Sequence, residues 1–283
     1  MSAVARMLAD GRRLHLQHGP IDMIVEAWGT PGAVAAAYRR AADRFAPLLD
    51  ELVAELPALR SSEVLPLRGE VARAMARAVA PYRPAFVTPM AAVAGASADA
   101  VLSALVDGPG IRRAYVNNGG DIAVHLAPGE RLTAAIAVRP GLPDRVTLRH
   151  EAPARGLATS GWRGRSWSLG IADAVTVLAT SAAAADAAAT MIANAVDLPD
   201  HPGIRRMPAS ALQADTDLGD RNVTVAVAPL AAAEVSAALD AGAAAAQAFR
   251  ARGLIHAAAL FLQGRARLVG AFPSIPAKET EPA

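Results

Sequence analysis

The stretch AYVNNGGDIAVHL, Ala114 to Leu126, decides how the chain folds. Runs of strand-forming residues flank Asn118-Gly119, a pair that tolerates the positive φ of a tight hairpin turn. The reading is strand, turn, strand. Similar strand signals recur along the chain. Residues 12–27 read as two short strands around His18–Pro20. LTAAIAV (132–138), VTLRH (146–150), ADAVTVLA (172–179), NVTVAVA (222–228), HAAALFLQ (256–263) and RLVGAF (267–272) read as further strands. Helical periodicity falls in blocks between them. The pattern runs from Pro31 to about Leu59, with Pro47 ending one helix and starting the next. Glu70–Val79 is a short helix. PYRPAFVTP (81–89) is expected to be extended, and helix resumes from about Ala96. Ser181–Val196 and Leu230–Arg252 are helical, the first capped by Thr180 or Ser181. Hairpin-joined strands with helices in blocks predict an α+β fold, largely antiparallel sheets packed with helices. No internal repeat or clear linker divides the chain. We therefore expect one domain over 1–272 and a disordered tail over 273–283.

Composition narrows the function. The chain has 283 residues, 53% of them hydrophobic, so a sizeable core is available. Net charge is +2, and the arginines lie in scattered pairs rather than a stripe. Aromatics are only 4%. Both features argue against nucleic-acid binding. Cysteine is absent, which excludes disulfides, thiolate nucleophiles and zinc-thiolate sites. No signal-peptide core precedes the first strands, and no stretch reads as the roughly 18 apolar residues of a membrane span. The expected setting is cytoplasmic, without membrane contact. The small-residue helices offer a surface for a homodimer.

Four segments carry candidate chemistry. In SAAAADAAATMIANAV (181–196) the lone acid, Asp186, and the lone threonine, Thr190, are four apart. A helix turns once per ~3.6 residues, so they share a face. Two oxygens there suit a hard cation such as Mg²⁺. The alternative is a capping acid and a threonine bonded back to a carbonyl. In VNNGGDI (116–122), Asn118, Gly119 and Gly120 form either a plain turn or a close-approach site for phosphate or a ring, with Asp121 as polar anchor. GLATSGWRGRSWSLGIAD (156–173) gathers Thr159, Ser160, Gly161, Arg163 and Arg165. The arginines suit a bidentate phosphate fork, and Trp162 or Trp167 suits a flat ring. The alternative is an exposed loop. DTDLGD (215–220) lacks the closing Glu of a calcium loop and reads as a solvated turn.

Taken in order, NNGGDI, ATSG, VTV and ADAAAT resemble the ApbE-like superfamily of FAD:protein FMN transferases. TPMAAVAGASAD (88–99), which contains Met90, together with SLGIADAVTV, ADAAATMIANAV and DLGDRNVTVAV, resembles an uncharacterised branch of that superfamily. The resemblance implies an ApbE-like fold and a Mg²⁺ site of Asp186, Thr190 and the carbonyl of Ala189. It also implies an FAD or related phosphorylated ligand near Met90, Asn118–Asp121, Thr159–Gly161, Arg163 and Arg165. Asp121 or Asp173 would serve as base, and an acceptor protein would be the partner. The transferases carry Lys-Gly where this chain has Ala94-Gly95, and a His-x-x-Asp-Pro element where it has SLGIAD. The alternative is therefore a non-catalytic flavin-binding or accessory protein. For that the branch implies a link to sulfur assimilation.

Overall fold

The computed structural model describes residues 2–135 and 145–272. Three strands come first, β1 (Val4–Met7), β2 (Leu14–His18) and β3 (Ile21–Gly29). Helices α1 (Pro31–Phe45), α2 (Leu48–Ala54), α3 (Leu56–Leu59), α4 (Glu70–Val79) and α5 (Val93–Val106) follow. Next are β4 (Ile111–Asn118), β5 (Asp121–Leu126), β6 (Arg131–Ala135), β7 (Arg145–Arg149), β8 (Gly156–Ser160) and β9 (Ala174–Ala179). The chain continues with α6 (Ala182–Ala195), β10 (Ile204–Pro208), α7 (Ala209–Leu212), β11 (Asn222–Val227), α8 (Ala232–Ala251), β12 (Ala257–Leu262) and β13 (Arg265–Val269).

The architecture is α+β. Nine strands form one sheet in the order β1-β2-β3-β4-β5-β8-β9-β12-β13, and each neighbouring pair is antiparallel. β6–β7 and β10–β11 form separate antiparallel ribbons. Alternation along the central strands serves both sheet faces. Ala123, Ala158, Val175 and Val177 face the helices, while Ile122, Val124, Leu157 and Leu178 face a smaller core beneath the β6–β7 ribbon. Helix α4 shows how pattern becomes packing. Its Val71, Ala72, Met75 and Val79 form the buried stripe, with Glu70 in the first turn and Arg77 in the last, as the helix dipole favours.

The alanine-rich α6 lies between the sheet and helices α5 and α8. Its small side chains let backbones approach closely. A Cβ on Gly95 of α5 would come 2.3 Å from the Ala182 carbonyl oxygen, and one on Gly156 of β8 would come 2.0 Å from the backbone of Ser181. The two helices also cap each other. Asp99 of α5 accepts from the amides of Ala182 (3.0 Å) and Ala183 (2.9 Å), and Asp186 of α6 accepts from the amide of Gly95 (3.0 Å). Ser181 is the N-cap of α6, its Oγ accepting from Ala184 N at 3.2 Å.

The structure corrects several expectations. The two residues of the hairpin turn are Gly119 (φ 68°) and Gly120 (φ 115°). Asn118 ends β4, paired with Asp121. The Asn117 side-chain oxygen accepts from Gly120 N at 2.8 Å and fixes the bend. Helix α5 starts at Val93 rather than near Ala96, entered through a 3-10 turn at Pro89–Ala92. Gly156–Ser160 is a strand, not part of a loop. One segment, Pro89–Val106, does have the length and mean hydropathy (1.5) of a membrane span, yet it packs against α1, α4, α6 and β4. Residues 136–138 of the expected LTAAIAV strand and the expected tail 273–283 lie outside the described residues.

Candidate functional site

The hairpin turn, the end of β8 and one face of α6 meet at a cleft of ≈ 810 Å³. The β4–β5 turn supplies Gly119, Gly120 and Asp121. The sheet register sets β8 beside β5, which brings in Thr159, Ser160 and Gly161. The loop after β8 adds Arg163 and Arg165, the 3-10 turn adds Met90, and α6 adds Asp186 and Thr190. Three predicted residues do not line the cleft. Asn118 is buried, its amide donating to the Ala94 carbonyl at 3.1 Å. Ala189 is fully buried. Asp173 lies behind the Arg163 loop, accepting from Arg163 Nε at 2.6 Å and from Gln263 N at 2.6 Å.

Two acids dominate the electrostatics. Burial pushes the Asp186 carboxyl well above the ordinary carboxylate range, and the charge of nearby Asp121 pushes it the same way. The amides of Gly95 and Ala94 oppose this. Burial raises Asp121 to about 7, against the Thr159 amide at 3.2 Å and the positive charge of Arg165. Two interacting carboxyls in a partly dry cleft resist joint ionisation unless a cation sits between or beside them. The Thr190 hydroxyl makes no hydrogen bond to any described residue, so it is not bonded back to a helix carbonyl. Asp186 caps a neighbouring helix through one oxygen, Oδ2.

This donor set fits a hard cation. Among the described residues no group of three or more His, Cys, Asp or Glu could hold a metal. Mg²⁺ is commonly bound by one or two carboxylates, with water and ligand phosphate completing the shell. Asp186 and Thr190 offer such a partial set, one turn apart on α6. Thr159 is less free than its neighbours, since its hydroxyl pairs with that of buried Thr176 at 2.9 Å across β8 and β9.

Sequence reasoning missed other cleft residues. Thr88 and Asp217 close one end, hydrogen-bonded at 2.5 Å. Phe86 and Arg60 line the same end. Arg221 lies over the Phe86 ring at 3.3 Å and Arg60 pairs with Asp215 at 3.0 Å. The DTDLGD segment is a turn with Asp215, Gly219 and Asp220 exposed, as expected, and side chains also tie it to this end of the cleft. These pairings join residues more than a hundred positions apart, and no local pattern marks them. Of the two candidate tryptophans, Trp167 lines the cleft and is 41% exposed, whereas Trp162 lies against Arg163.

Over residues 5–268 the sequence matches the family model described as AbpE bacteria. The chain belongs to this ApbE-like family. It is 40% identical over 151 residues to a UPF0280 protein of Methanopyrus kandleri, covering 52% of this chain and 59% of that one. It is 42% identical over 134 residues to a UPF0280 protein of Methanothermobacter thermautotrophicus, covering 46% and 50%. The chain therefore spans about half to three fifths of the length of these UPF0280 relatives. A mutant of the flavin transferase ApbE from Vibrio cholerae aligns over 95% of this chain and 97% of its own, at 13% identity and a TM-score of 0.44.

Proposed function

We propose that the cleft binds a phosphorylated, flavin-type ligand with the help of a divalent cation, and that the chain acts on it as a transferase-like enzyme. The observation that carries this reading is the pairing of two pKa-raised carboxyls with an unpartnered threonine hydroxyl in one cleft. Asp186 and Thr190 would hold Mg²⁺, without the Ala189 carbonyl, which is buried away from the cleft. When bound, the cation neutralises charge on ligand phosphate oxygens. The chain's own groups do the rest. The Gly119–Gly120 bend lets a ligand approach backbone closely, Ser160 offers a hydroxyl with no hydrogen bond among the described residues, and Met90 covers one side. Asp121, close to neutral pH in its affinity for a proton, is placed to accept one from an incoming hydroxyl. Asp173 is the weaker base, since both its oxygens already accept hydrogen bonds.

The test is calorimetry with FAD and Mg²⁺ on the wild type and on Asp186→Ala. The variant should keep its fold and lose cation-dependent binding, and unchanged affinity defeats the reading. The tied-down state of Asp173 favours a second reading, binding without turnover by an accessory protein. Incubation with FAD, Mg²⁺ and a threonine-containing acceptor protein separates the two. AMP release with a labelled acceptor supports the enzyme, and retained FAD without AMP supports the binder.

A further inference from the structure

The two arginines of Arg163-Gly164-Arg165 look equivalent in the sequence, but their surroundings differ sharply. Arg163 donates through Nε to Asp173 at 2.6 Å, and its guanidinium lies over the Trp162 ring with Cζ 4.6 Å from the centroid. Asp173 in turn accepts from Gln263 N at the end of β12. Arg163 is thus a strut that fixes the loop to the sheet. Arg165 has no hydrogen-bond or ion-pair partner among the described residues. Its guanidinium rests on the backbone of Gly119. A Cβ at that position would lie 1.8 Å from Nη2 and 3.0 Å from Cζ. Gly119 has φ 68°, so a side chain there would be strained as well as obstructed.

We propose that Arg165, seated on Gly119, is the residue that grips the ligand's anionic phosphate group, while Arg163 only positions the loop that carries it. This rests on the ligand reading above and divides the labour within it. The guanidinium feels the charge of Asp121 but makes no hydrogen bond or ion pair with a described residue, so its N–H donors are available to a ligand. Its planar fork matches two phosphate oxygens at once, which a single ammonium does not. Gly119 is required twice over, once for the turn and once as the flat seat of the guanidinium.

The experiment is calorimetric titration of the full chain with inorganic pyrophosphate in the presence of EDTA. Without a cation, the acids contribute nothing favourable and the arginine's share is isolated. Arg165→Ala should weaken binding about 10- to 100-fold, the range for loss of charge-assisted bonds to one anion. Arg165→Lys should recover part of that, and Gly119→Ala should resemble Arg165→Ala. Arg163→Ala should weaken binding less than Arg165→Ala does and lower the unfolding temperature. Circular dichroism checks each variant's fold, and if Gly119→Ala misfolds, the Arg165 pair still decides. Equal affinity in Arg165→Ala, a larger loss in Arg163→Ala, or no pyrophosphate binding by the wild type overturns the proposal. Mn²⁺ titration of the same proteins keeps the two readings apart. Failure of Mn²⁺ to bind the wild type counts against the cation site alone, whereas the pyrophosphate result bears on Arg165 alone.

Discussion

Replacing Gly95 by alanine should destabilise the protein, although the same change in a free helix stabilises it by about 1 kcal/mol. The reason lies in the crossing of α5 and α6. The new Cβ would stand 2.3 Å from the Ala182 carbonyl oxygen, 2.4 Å from its carbon and 2.7 Å from Ala183 N. A carbon–oxygen contact needs about 3.3 Å. The helices must therefore part by about 1 Å, and all the obstructing atoms are backbone, so no side chain can swing aside. Three carboxylate–amide bonds of 2.9–3.0 Å cross this seam, from Asp99 to Ala182 and Ala183 and from Asp186 to Gly95. Opening it by that distance breaks them. Overpacking costs about 1–3 kcal/mol, and each charged hydrogen bond about 1.5–3 kcal/mol before water and relaxation restore part. After the propensity gain, a net loss of about 2–4 kcal/mol is expected. Urea unfolding of wild type and Gly95→Ala measures it. Gly32→Ala, where a Cβ meets nothing within 4 Å, is the control and should be neutral or slightly stabilising. If Gly95→Ala proves as stable as wild type, the helices do not meet as described.

Further outcomes can be measured on the same material. Asp121 carries its proton to about pH 7 in the folded chain, against 3.8 ordinarily. The folded state thus binds more protons between these values, and stability falls as pH rises from about 4 to about 7, then levels. Asp121→Asn should flatten that slope in urea unfolding at several pH values, and an unaltered slope refutes the assignment. Because a bound cation requires ionised carboxylates, Mn²⁺ affinity should rise over the same interval, and affinity that is flat with pH contradicts it. Ser181→Ala removes the N-cap of α6 and should cost about 1 kcal/mol, read from urea midpoints. Thr190→Val keeps the shape of its side chain and should weaken Mn²⁺ binding without lowering stability. A matching stability loss would show the hydroxyl to be structural.

Much of this was legible because it is local. The hairpin, the α4 stripe, the break at Pro47 and the shared face of Asp186 and Thr190 each follow from short-range geometry. The misreadings have physical causes. Asn118-Gly119 is a turn pair by residue preference, but the adjacent Gly120 also accepts positive φ, and the register moved by one residue. Gly156 suggested a loop, yet it is there because the Ser181 backbone presses on β8. The approach of Asp121 to Asp186 depends on how sheet and helix dock, as does Asp99 reaching α6 from 83 residues away. Arg163 and Arg165 could not be told apart until Asp173 was placed.

The exchange of carboxylates between α5 and α6 ties their first turns to a common fate. Neither start can fray without giving up the acid that the other helix supplies, so both should open in one step. Amide protons of Gly95, Ala182 and Ala183 should therefore trade with solvent at matched rates, as members of one foldon. Asp186 belongs to that same step, so a cation held by its carboxylate should slow all three together.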